Sequence, residues 1–215
     1  MTSEKRSALV IGATGLVGAK VVAKLLSSDK YACVKVLVRK PSAVNHPKLQ
    51  SILFDFDHPD ASLIQADDVF CCLGTTMKKA GSKDAFYRVD FTYPYEIAGI
   101  ALANGAKRFA IITAMGADRT SLFYYNRVKG EIEASLRKLK YDALLIFRPS
   151  LLIGERSETR FGEKAGEWAA KFFQFMIPAR YRAINADKVA EAMVSITSSN
   201  VKGTLVYESD LMQEF

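Results

Sequence analysis

The chain has 215 residues, of which 49% are hydrophobic and 25% charged, a balance typical of a soluble globular protein rather than a disordered or fibrous one. Lys and Arg number 30 against 23 Asp and Glu, which gives a net charge of +7. The basic residues are spread along the chain in short pairs such as Lys78-Lys79, which favours a solvated surface over a nucleic-acid-binding stripe. We therefore expect one domain, residues 1–215, with no specific nucleic-acid partner.

Two further features predict a cytoplasmic protein with no membrane partner. The apolar run at residues 8–11 is too short for the core of a signal peptide, and no segment approaches the roughly 18 apolar residues that span a bilayer. The cysteines, Cys33, Cys71 and Cys72, are odd in number and include an adjacent pair, which is a poor disulfide framework and indicates a reducing compartment.

Short apolar runs alternate with longer helical patterns along the first two thirds of the chain. Near-continuous apolar strands separated by helices indicate a parallel sheet that is covered on both faces. The predicted fold is therefore α/β: a doubly wound, mostly parallel, Rossmann-type sheet. The predicted strands are 7–12, 33–39, 51–56, 68–74, 108–113 and 142–148, and the predicted helices are 15–28, 84–104 and 121–140.

After residue 149 this alternation weakens. The patterns there predict an aromatic-rich helix at 162–176, a helix at 185–198 and a short strand at 203–208. We expect residues 150–215 to form a small extension on the substrate side. The aromatic residues of the first helix would line a pocket, form a partner surface or, as is commoner, pack in a core; they are Trp168, Phe172, Phe173 and Phe175.

A glycine-rich turn follows the first predicted strand and opens the first predicted helix. It has the form Gly12-x-x-Gly15-x-x-Gly18. The first glycine allows a tight turn, the second lets the backbone approach a pyrophosphate, and the third lets the helix pack on the sheet. The helix N-terminus offers free N–H groups to phosphates. Together with the intervening Thr14, Leu16 and Val17, the turn predicts a dinucleotide site, and the alternative is a turn that binds no ligand.

Arg39 and Lys40 end the second predicted strand. An NAD-preferring site tends to carry an acid at this position, whereas two cations would hold a 2′-phosphate. The pair therefore favours NADP(H) over NAD(H), and the alternative is a solvated basic pair.

Two more strand ends should face the same crevice. Asp55-Phe56 would offer adenine a carboxylate and an aromatic face, and Cys72-Leu73-Gly74 would lie beside the cofactor. Cys71 and Cys72 point to opposite faces of a strand, so they are expected to be small core residues rather than metal ligands. No other spacing predicts a metal site.

Tyr125 and Lys129 stand four residues apart on a predicted helix and so share one face. An ammonium near the phenol would lower the tyrosine pKa from its usual value near 10, which would let Tyr125 act as an acid or base near neutral pH. Thr113, at the end of the preceding strand, would hydrogen-bond a substrate carbonyl. Tyr124 is rotated off the Lys129 face and is expected to pack.

These motifs together resemble the atypical branch of the short-chain dehydrogenase/reductase superfamily. The segments at 71–76, 116–118, 128–134, 147–152 and 166–173 are most similar to the Tat-interactive-protein-type oxidoreductases. The resemblance implies that Tyr125 is the acid/base, that Lys129 binds the ribose, and that Thr113 replaces the usual serine. It also implies that the turn of Pro149, Ser150 and Leu151 passes the nicotinamide. Asp90 falls near a position where many relatives have asparagine.

The expected function is an NADP(H)-dependent reductase of a small carbonyl or an activated double bond. The first alternative is an NADP(H)-binding regulator that acts through protein contacts, because the region after residue 150 leaves little material for a substrate pocket. A nucleotide-sugar epimerase ranks lowest, because it needs a larger C-terminal domain. The resemblance also admits a homodimer.

Overall fold

The computed structural model describes residues 5–40, 44–154 and 178–215. Seven strands form a central sheet in the order β3-β2-β1-β4-β5-β6-β9, and every neighbouring pair is parallel. Two short strands, β7 and β8, form a separate parallel pair. The strands are β1 Arg6–Ile11, β2 Tyr31–Val38, β3 Leu49–Leu53, β4 Asp68–Cys71, β5 Arg108–Ile112, β6 Ala143–Arg148, β7 Leu152–Ile153, β8 Ile184–Asn185 and β9 Gly203–Glu208.

Helices cover both faces of this sheet, which confirms the predicted doubly wound fold. The helices are α1 Leu16–Ser27, α2 Met77–Ala80, α3 Lys83–Tyr87, α4 Tyr93–Ala103, α5 Tyr124–Leu136, α6 Ala186–Thr197 and α7 Ser209–Met212. One core lies under α1 and α6, and the other lies under α4 and α5. None of the helices in the described ranges is both long enough and apolar enough to cross a membrane.

Strand β1 shows why the strands read as unbroken apolar runs. Ala8 and Val10 face the core beneath α1 and α6, whereas Leu9 and Ile11 face the core beneath α4 and α5. All four side chains are completely buried. A strand that is covered on both faces needs apolar residues at consecutive positions, not at alternate ones.

The predicted helix at 84–104 is wrong as a single element. It consists of α3, a π-helical turn at Arg88–Thr92 and α4, which has a proline in its first turn. Proline fits the start of a helix because it lacks the N–H that is unpaired there in any case. The π-helical turn contains the buried Asp90, and such turns occur frequently at functional sites.

The C-terminal residues complete the sheet layers. Helix α6 packs beside α1 over one face, and β9 pairs with β6 along its whole length. The helix predicted at 185–198 and the strand predicted at 203–208 are thus confirmed. The predicted aromatic-rich helix at 162–176 lies outside the described residues.

Several other boundaries move by a few residues. The strand predicted at 68–74 ends at Cys71, and the strand predicted at 51–56 ends at Leu53. The helix predicted at 121–140 begins only at Tyr124 and, after Leu136, continues as a short 3-10 turn.

A polar cluster joins the amino ends of the strands, opposite the glycine turn. The carboxylate of Asp68 is fully buried and contacts Arg6 and Arg108, each at 3.0 Å. It also accepts a 2.7 Å hydrogen bond from the hydroxyl of Tyr31. Burial and this nearby carboxylate raise the pKa of Tyr31, so the phenol stays protonated and keeps donating.

Candidate active site

A cavity of about 720 Å³ opens at the carboxyl edge of the sheet. It lies where β1 has β2 on one side and β4 on the other, the switch point at which doubly wound sheets bind ligands. Residues from both the predicted cofactor turn and the predicted catalytic pair line it. The lining residues are Thr14, Gly15, Leu16, Val17, Ala19, Lys20, Cys72, Leu73, Gly74, Thr75, Thr76, Lys79, Asp90, Ile112, Thr113, Tyr125, Lys129 and Leu152.

The glycine turn is held by close backbone contacts. Gly12 has a φ of +79°, and a Cβ there would stand 2.5 Å from the carbonyl group of Cys72. A Cβ on Gly18 would stand 2.1 Å from the carbonyl oxygen of Gly12. The first turn of α1 contains no acidic residue that would compete for its free N–H groups. The turn is therefore suited to an anionic group.

Arg39 and Lys40 follow directly after β2, the strand next to β1, and both side chains are exposed. Neither lines the cavity. The two cations therefore lie at the same edge of the sheet as the glycine turn but outside the cavity that Tyr125 lines. This position fits the adenosine end of a dinucleotide.

Phe56 does not match its predicted role as an aromatic face for adenine. Strand β3 ends at Leu53, and the Phe56 ring is enclosed between Phe54 at 5.0 Å and Tyr93 at 5.5 Å. It therefore packs in the core beneath α4. The carboxylate of Asp55 accepts the N–H of Asp57 at 2.9 Å, so this acid shapes its own turn.

Lys129 is buried in the cavity wall and pairs with Asp90, with Nζ 2.7 Å from Oδ1. The other oxygen of Asp90 accepts the N–H of Thr75 at 2.9 Å. A Cβ on Gly74 would stand 3.5 Å from Asp90 and 3.7 Å from Lys129, so this glycine leaves room beside the pair. Burial by itself lowers the pKa of Lys129, but the groups around it, Asp90 first and then Tyr125 and Cys71, together raise it above its ordinary value.

Asp90 is thus a residue of the cavity wall to which the sequence assigned no role. Its signal was weak, because a single acid in a helical pattern is usually a solvated residue. Only the packing of the π-helical turn against α5 reveals that the side chain is buried and paired.

Tyr125 lies one helical turn before Lys129 on α5 and is 36% exposed at the cavity. Its ring lies 5.6 Å from that of Phe86. Tyr124 packs away from the pair, as its rotation predicted, and its hydroxyl donates to the carbonyl oxygen of Lys83 at 3.0 Å. The structure therefore brings Tyr125 and Lys129 together with the cofactor turn and separates Tyr124 from them.

Thr113 lines the cavity, but its hydroxyl is already engaged. It donates to Oε1 of the buried Glu133 at 2.7 Å. Glu133 also accepts two hydrogen bonds from Arg148, at 2.9 and 2.6 Å. This corrects the predicted picture, in which the hydroxyl of Thr113 donates to a substrate carbonyl. The sequence signal for Glu133 was its position four residues after Lys129, on the same helical face.

Gly130 lets the loop before α5 pack closely on that helix. A Cβ on Gly130 would stand 2.3 Å from the backbone of Asp118 and of Arg119. The loop before α5 therefore lies directly on the helix, and the N–H of Asp118 donates to the carbonyl oxygen of Asn126 at 3.0 Å. Gly116, with a φ of +79°, forms the turn of this loop. The contact fixes α5 beside β5 and so fixes the position of Tyr125.

The turn after β6 is tied into the fold by its polar groups. The carbonyl oxygen of Pro149 accepts the N–H of Met115 at 3.0 Å. The hydroxyl of Ser150 donates to the carbonyl oxygen of Arg182 and lies 2.9 Å from the hydroxyl of Ser209. Leu151 is 73% exposed and does not line the cavity, whereas the next residue, Leu152, does.

The two adjacent cysteines pack on opposite faces of the sheet, as expected. Cys71 belongs to the core beneath α4 and α5, and Cys72 packs against the core beneath α1 and α6. Burial raises the pKa of the Cys71 thiol to about 12 and that of Cys72 well above its ordinary value. Within the described ranges, no three metal-binding side chains come together.

Comparison with known proteins agrees with this geometry. A model of the NAD(P)H-binding family matches residues 12–200. The rat (Rattus norvegicus) protein HTATIP2 is 36% identical over 181 residues, which cover 81% of this chain and 73% of the rat protein. The mitochondrial protein FMP52 of Candida albicans is 29% identical over 211 residues, which cover 93% of this chain and 91% of the yeast protein.

Among solved structures, the chain is similar to MoeE5 in complex with UDP-glucose and NAD. The TM-score is 0.72, and the match covers 93% of this chain and 74% of MoeE5. At 13% identity, this likeness shows the fold alone.

Proposed function

Because the chain belongs to the NAD(P)H-binding family of Rossmann-type proteins, within the short-chain dehydrogenase/reductase superfamily, we propose that it is an NADP(H)-dependent reductase. Its substrate is a small carbonyl compound or one with an activated double bond. The observation that carries the proposal is that Tyr125 and Lys129 line the same cavity as the glycine turn. Burial of a charged lysine costs free energy, and packing of a helix on a sheet does not by itself require it.

The preference for NADP(H) is the finer part of the proposal. Arg39 and Lys40 stand at the edge of the sheet beside the glycine turn, where the adenosine ribose of a dinucleotide would lie. Two cations favour a 2′-phosphate, and an acid would favour the free ribose hydroxyls. MoeE5, a protein of the same fold, was solved with NAD, so the fold itself does not select the cofactor.

The chemistry needs one hydride and one proton. When bound, a reduced nicotinamide supplies the hydride to the carbonyl carbon. Tyr125 gives its phenol proton to the carbonyl oxygen, so the C=O group becomes an alcohol. The ammonium of Lys129, held by Asp90, keeps further N–H bonds for a ribose hydroxyl or for the oxygen of Tyr125.

A regulator that binds NADP(H) without turnover is the second candidate. One observation favours it: the hydroxyl of Thr113, which the sequence predicted as a donor to the substrate carbonyl, donates to Glu133 instead. An epimerase is a third candidate: MoeE5, a protein of the same fold, was solved with the nucleotide sugar UDP-glucose, but a likeness at 13% identity shows the fold alone.

Replacing Tyr125 with Phe tests the reductase. NADPH oxidation is followed with a panel of aldehydes, ketones and quinones, and kcat/KM should fall by about 10²–10⁴-fold while NADPH binding stays the same. Tyr124→Phe is the matched control, because its hydroxyl bonds a backbone carbonyl outside the cavity, and it should keep its activity. A wild-type chain that binds NADPH but reduces nothing in the panel supports the regulator instead.

The cofactor preference is tested separately. NADPH and NADH binding are compared in the wild type and in the double variant Arg39→Ala/Lys40→Ala. Loss of two charge-assisted hydrogen bonds should weaken NADPH binding by about tenfold or more and leave NADH binding unchanged. Lys138→Ala removes an exposed charge after α5 and serves as the control. Equal wild-type affinities for the two cofactors would contradict the preference.

The compartment is a further part of the proposal. The sequence predicts a cytoplasmic location, whereas the Candida albicans relative is named as a mitochondrial protein. Fractionation of cells that express the full chain separates the two, and recovery in the mitochondrial fraction would overturn the cytoplasmic assignment.

A further inference from the structure

We infer that Glu133 fixes the hydroxyl of Thr113 as a hydrogen-bond acceptor, and that the preferred substrates therefore carry a hydroxyl group as well as the reacting carbonyl. The class is that of small hydroxy-aldehydes and hydroxy-ketones. This inference deepens the proposed reductase and rests on it, because Thr113 lines the same cavity as Tyr125.

The first step is the charge state of Glu133. Its side chain is 1% exposed, and the Arg148 guanidinium donates to both of its oxygens, at 2.9 and 2.6 Å. A second guanidinium, that of Arg137, lies 3.5 Å from Oε2. Arginine stays protonated in proteins, so a carboxyl group held between two of them is ionised and offers only lone pairs.

The second step is the direction of the hydrogen bond. Thr113 Oγ1 lies 2.7 Å from Glu133 Oε1, and a carboxylate cannot donate, so Thr113 gives its single proton to Glu133. The other near neighbour, the carbonyl oxygen of Phe147 at 3.5 Å, is also an acceptor. Neither neighbour uses a lone pair of the hydroxyl, so lone pairs are what Thr113 offers to a bound molecule.

The third step compares this arrangement with the one that a substrate carbonyl needs. Turning the hydroxyl towards a carbonyl would exchange a charge-assisted bond for a neutral one, and charge-assisted bonds are roughly twice as strong. It would also leave a buried carboxylate oxygen with one partner fewer. The hydrogen bond from Thr113 to Glu133 is therefore the more stable arrangement, and Thr113 does not donate to a substrate carbonyl.

A hydroxyl group on the substrate fits this site, because it can donate to Thr113 while the carbonyl faces Tyr125. Glu133 acts as a positioning residue, since it reaches the substrate only through Thr113. Its position four residues beyond Lys129 places acid/base, ammonium and carboxylate on one face of α5.

The test compares hydroxyacetone with methoxyacetone. Both carry an electron-withdrawing oxygen beside the ketone, but only hydroxyacetone can donate. With NADPH as cofactor, wild type should prefer hydroxyacetone by about three- to tenfold in kcat/KM. Thr113→Ser should keep this ratio and Thr113→Val should lose it. A wild-type ratio of one, or an unchanged ratio in Thr113→Val, overturns the inference.

Glu133→Gln tests the direction itself. With its oxygen facing Arg148, the new amide would turn its NH₂ group to Thr113, which would free the threonine proton for the substrate. The preference for hydroxyacetone should then fall or reverse. If this variant does not fold, the two Thr113 variants decide, because they leave the Glu133–Arg148 pair in place.

A binding measurement separates this inference from the proposed function. Ligand-observed NMR with the NADP⁺-loaded chain compares binding of the same two ketones without turnover. A chain that reduces no compound of the panel of aldehydes, ketones and quinones but binds hydroxyacetone better, with the preference lost in Thr113→Val, contradicts the reductase and supports the role of Thr113. A chain that reduces and binds both ketones equally contradicts only the inference.

Discussion

Replacing Asp90 with Asn isolates the buried ion pair of the cavity. The side chains of Asp90 and Lys129 are 0% and 5% exposed, so water cannot take the place of the lost charge. The asparagine keeps the size of the side chain and can still accept the N–H of Thr75, but it leaves the lysine ammonium without its counter-ion. Removing one partner of a buried pair costs about 3–5 kcal/mol.

Taking the lower end, about 3 kcal/mol, Tm should fall by roughly 6–12 °C in a chain of this length. The comparison is with Glu191→Gln, which breaks a pair of similar length, 2.6 Å to Lys24, in which both side chains are partly exposed. That change should cost less than about 1 kcal/mol. Urea unfolding and thermal unfolding, both at pH 7, measure the two costs.

The contribution of the Lys129–Asp90 pair to stability should depend on pH. The folded-state pKa of Lys129 is raised, so the pair contributes fully below the ordinary lysine value of 10.5 and is lost as the pH rises through the folded-state pKa. In Asp90→Asn, the largest contribution that raises the lysine pKa is gone, so the effect of burial, which lowers it, is opposed only by Tyr125 and Cys71. The stability gap between wild type and variant should therefore be complete at pH 7 and shrink at alkaline pH.

Adding Lys129→Met to Asp90→Asn should restore most of the lost stability, because no unpaired buried charge remains. The reasoning fails if Asp90→Asn costs no more than Glu191→Gln, or if the double variant is less stable than Asp90→Asn alone.

Three further outcomes follow from the packing. Gly130→Ala should destabilise the fold by about 1–3 kcal/mol, because its methyl group would clash with the backbone of the loop before α5. Gly99→Ala places its methyl group in open space beside α4 and should stabilise the fold by about 0.5–1 kcal/mol. Denaturant unfolding measures both changes. Asp68→Asn should cost about 3 kcal/mol, and an unchanged midpoint would refute the importance of this buried charge. A thiol reagent at pH 8 should label the half-buried Cys33 but not Cys71, whose pKa is about 12, and peptide mass analysis identifies the labelled site.

The sheet could be predicted from the sequence because its signals are local. An unbroken apolar run such as residues 8–11 indicates a strand covered on both faces, and Gly12 directly after it indicates the turn. The partners of such elements follow from general rules of chain connection. The four-residue spacing of Tyr125 and Lys129 is also a local signal. It predicts that they share one helix face, and both side chains line one cavity.

The partners of the polar side chains could not be predicted in the same way. Asp90 meets Lys129 from a π-helical turn, and the extra residue in such a turn leaves no clear mark on the apolar pattern. For Thr113, the sequence indicated a hydroxyl at the strand end, but its donor direction depends on Glu133, twenty residues away. The packing of Phe56 between Phe54 and Tyr93 has no signal in the sequence, because an aromatic residue after a strand can pack inward or stack on a base.

The late pairing of β9 has a consequence for synthesis on the ribosome. Strands β1 to β6 appear in an order that lets each join a neighbour soon after it emerges, but the outer edge of β6 stays bare until residues 203–208 have been made. That edge carries the fully apolar stretch from Leu144 to Phe147, an open template for pairing with another nascent chain. A chain that stops short of β9 leaves this edge exposed, and we expect it to aggregate more readily than the full chain.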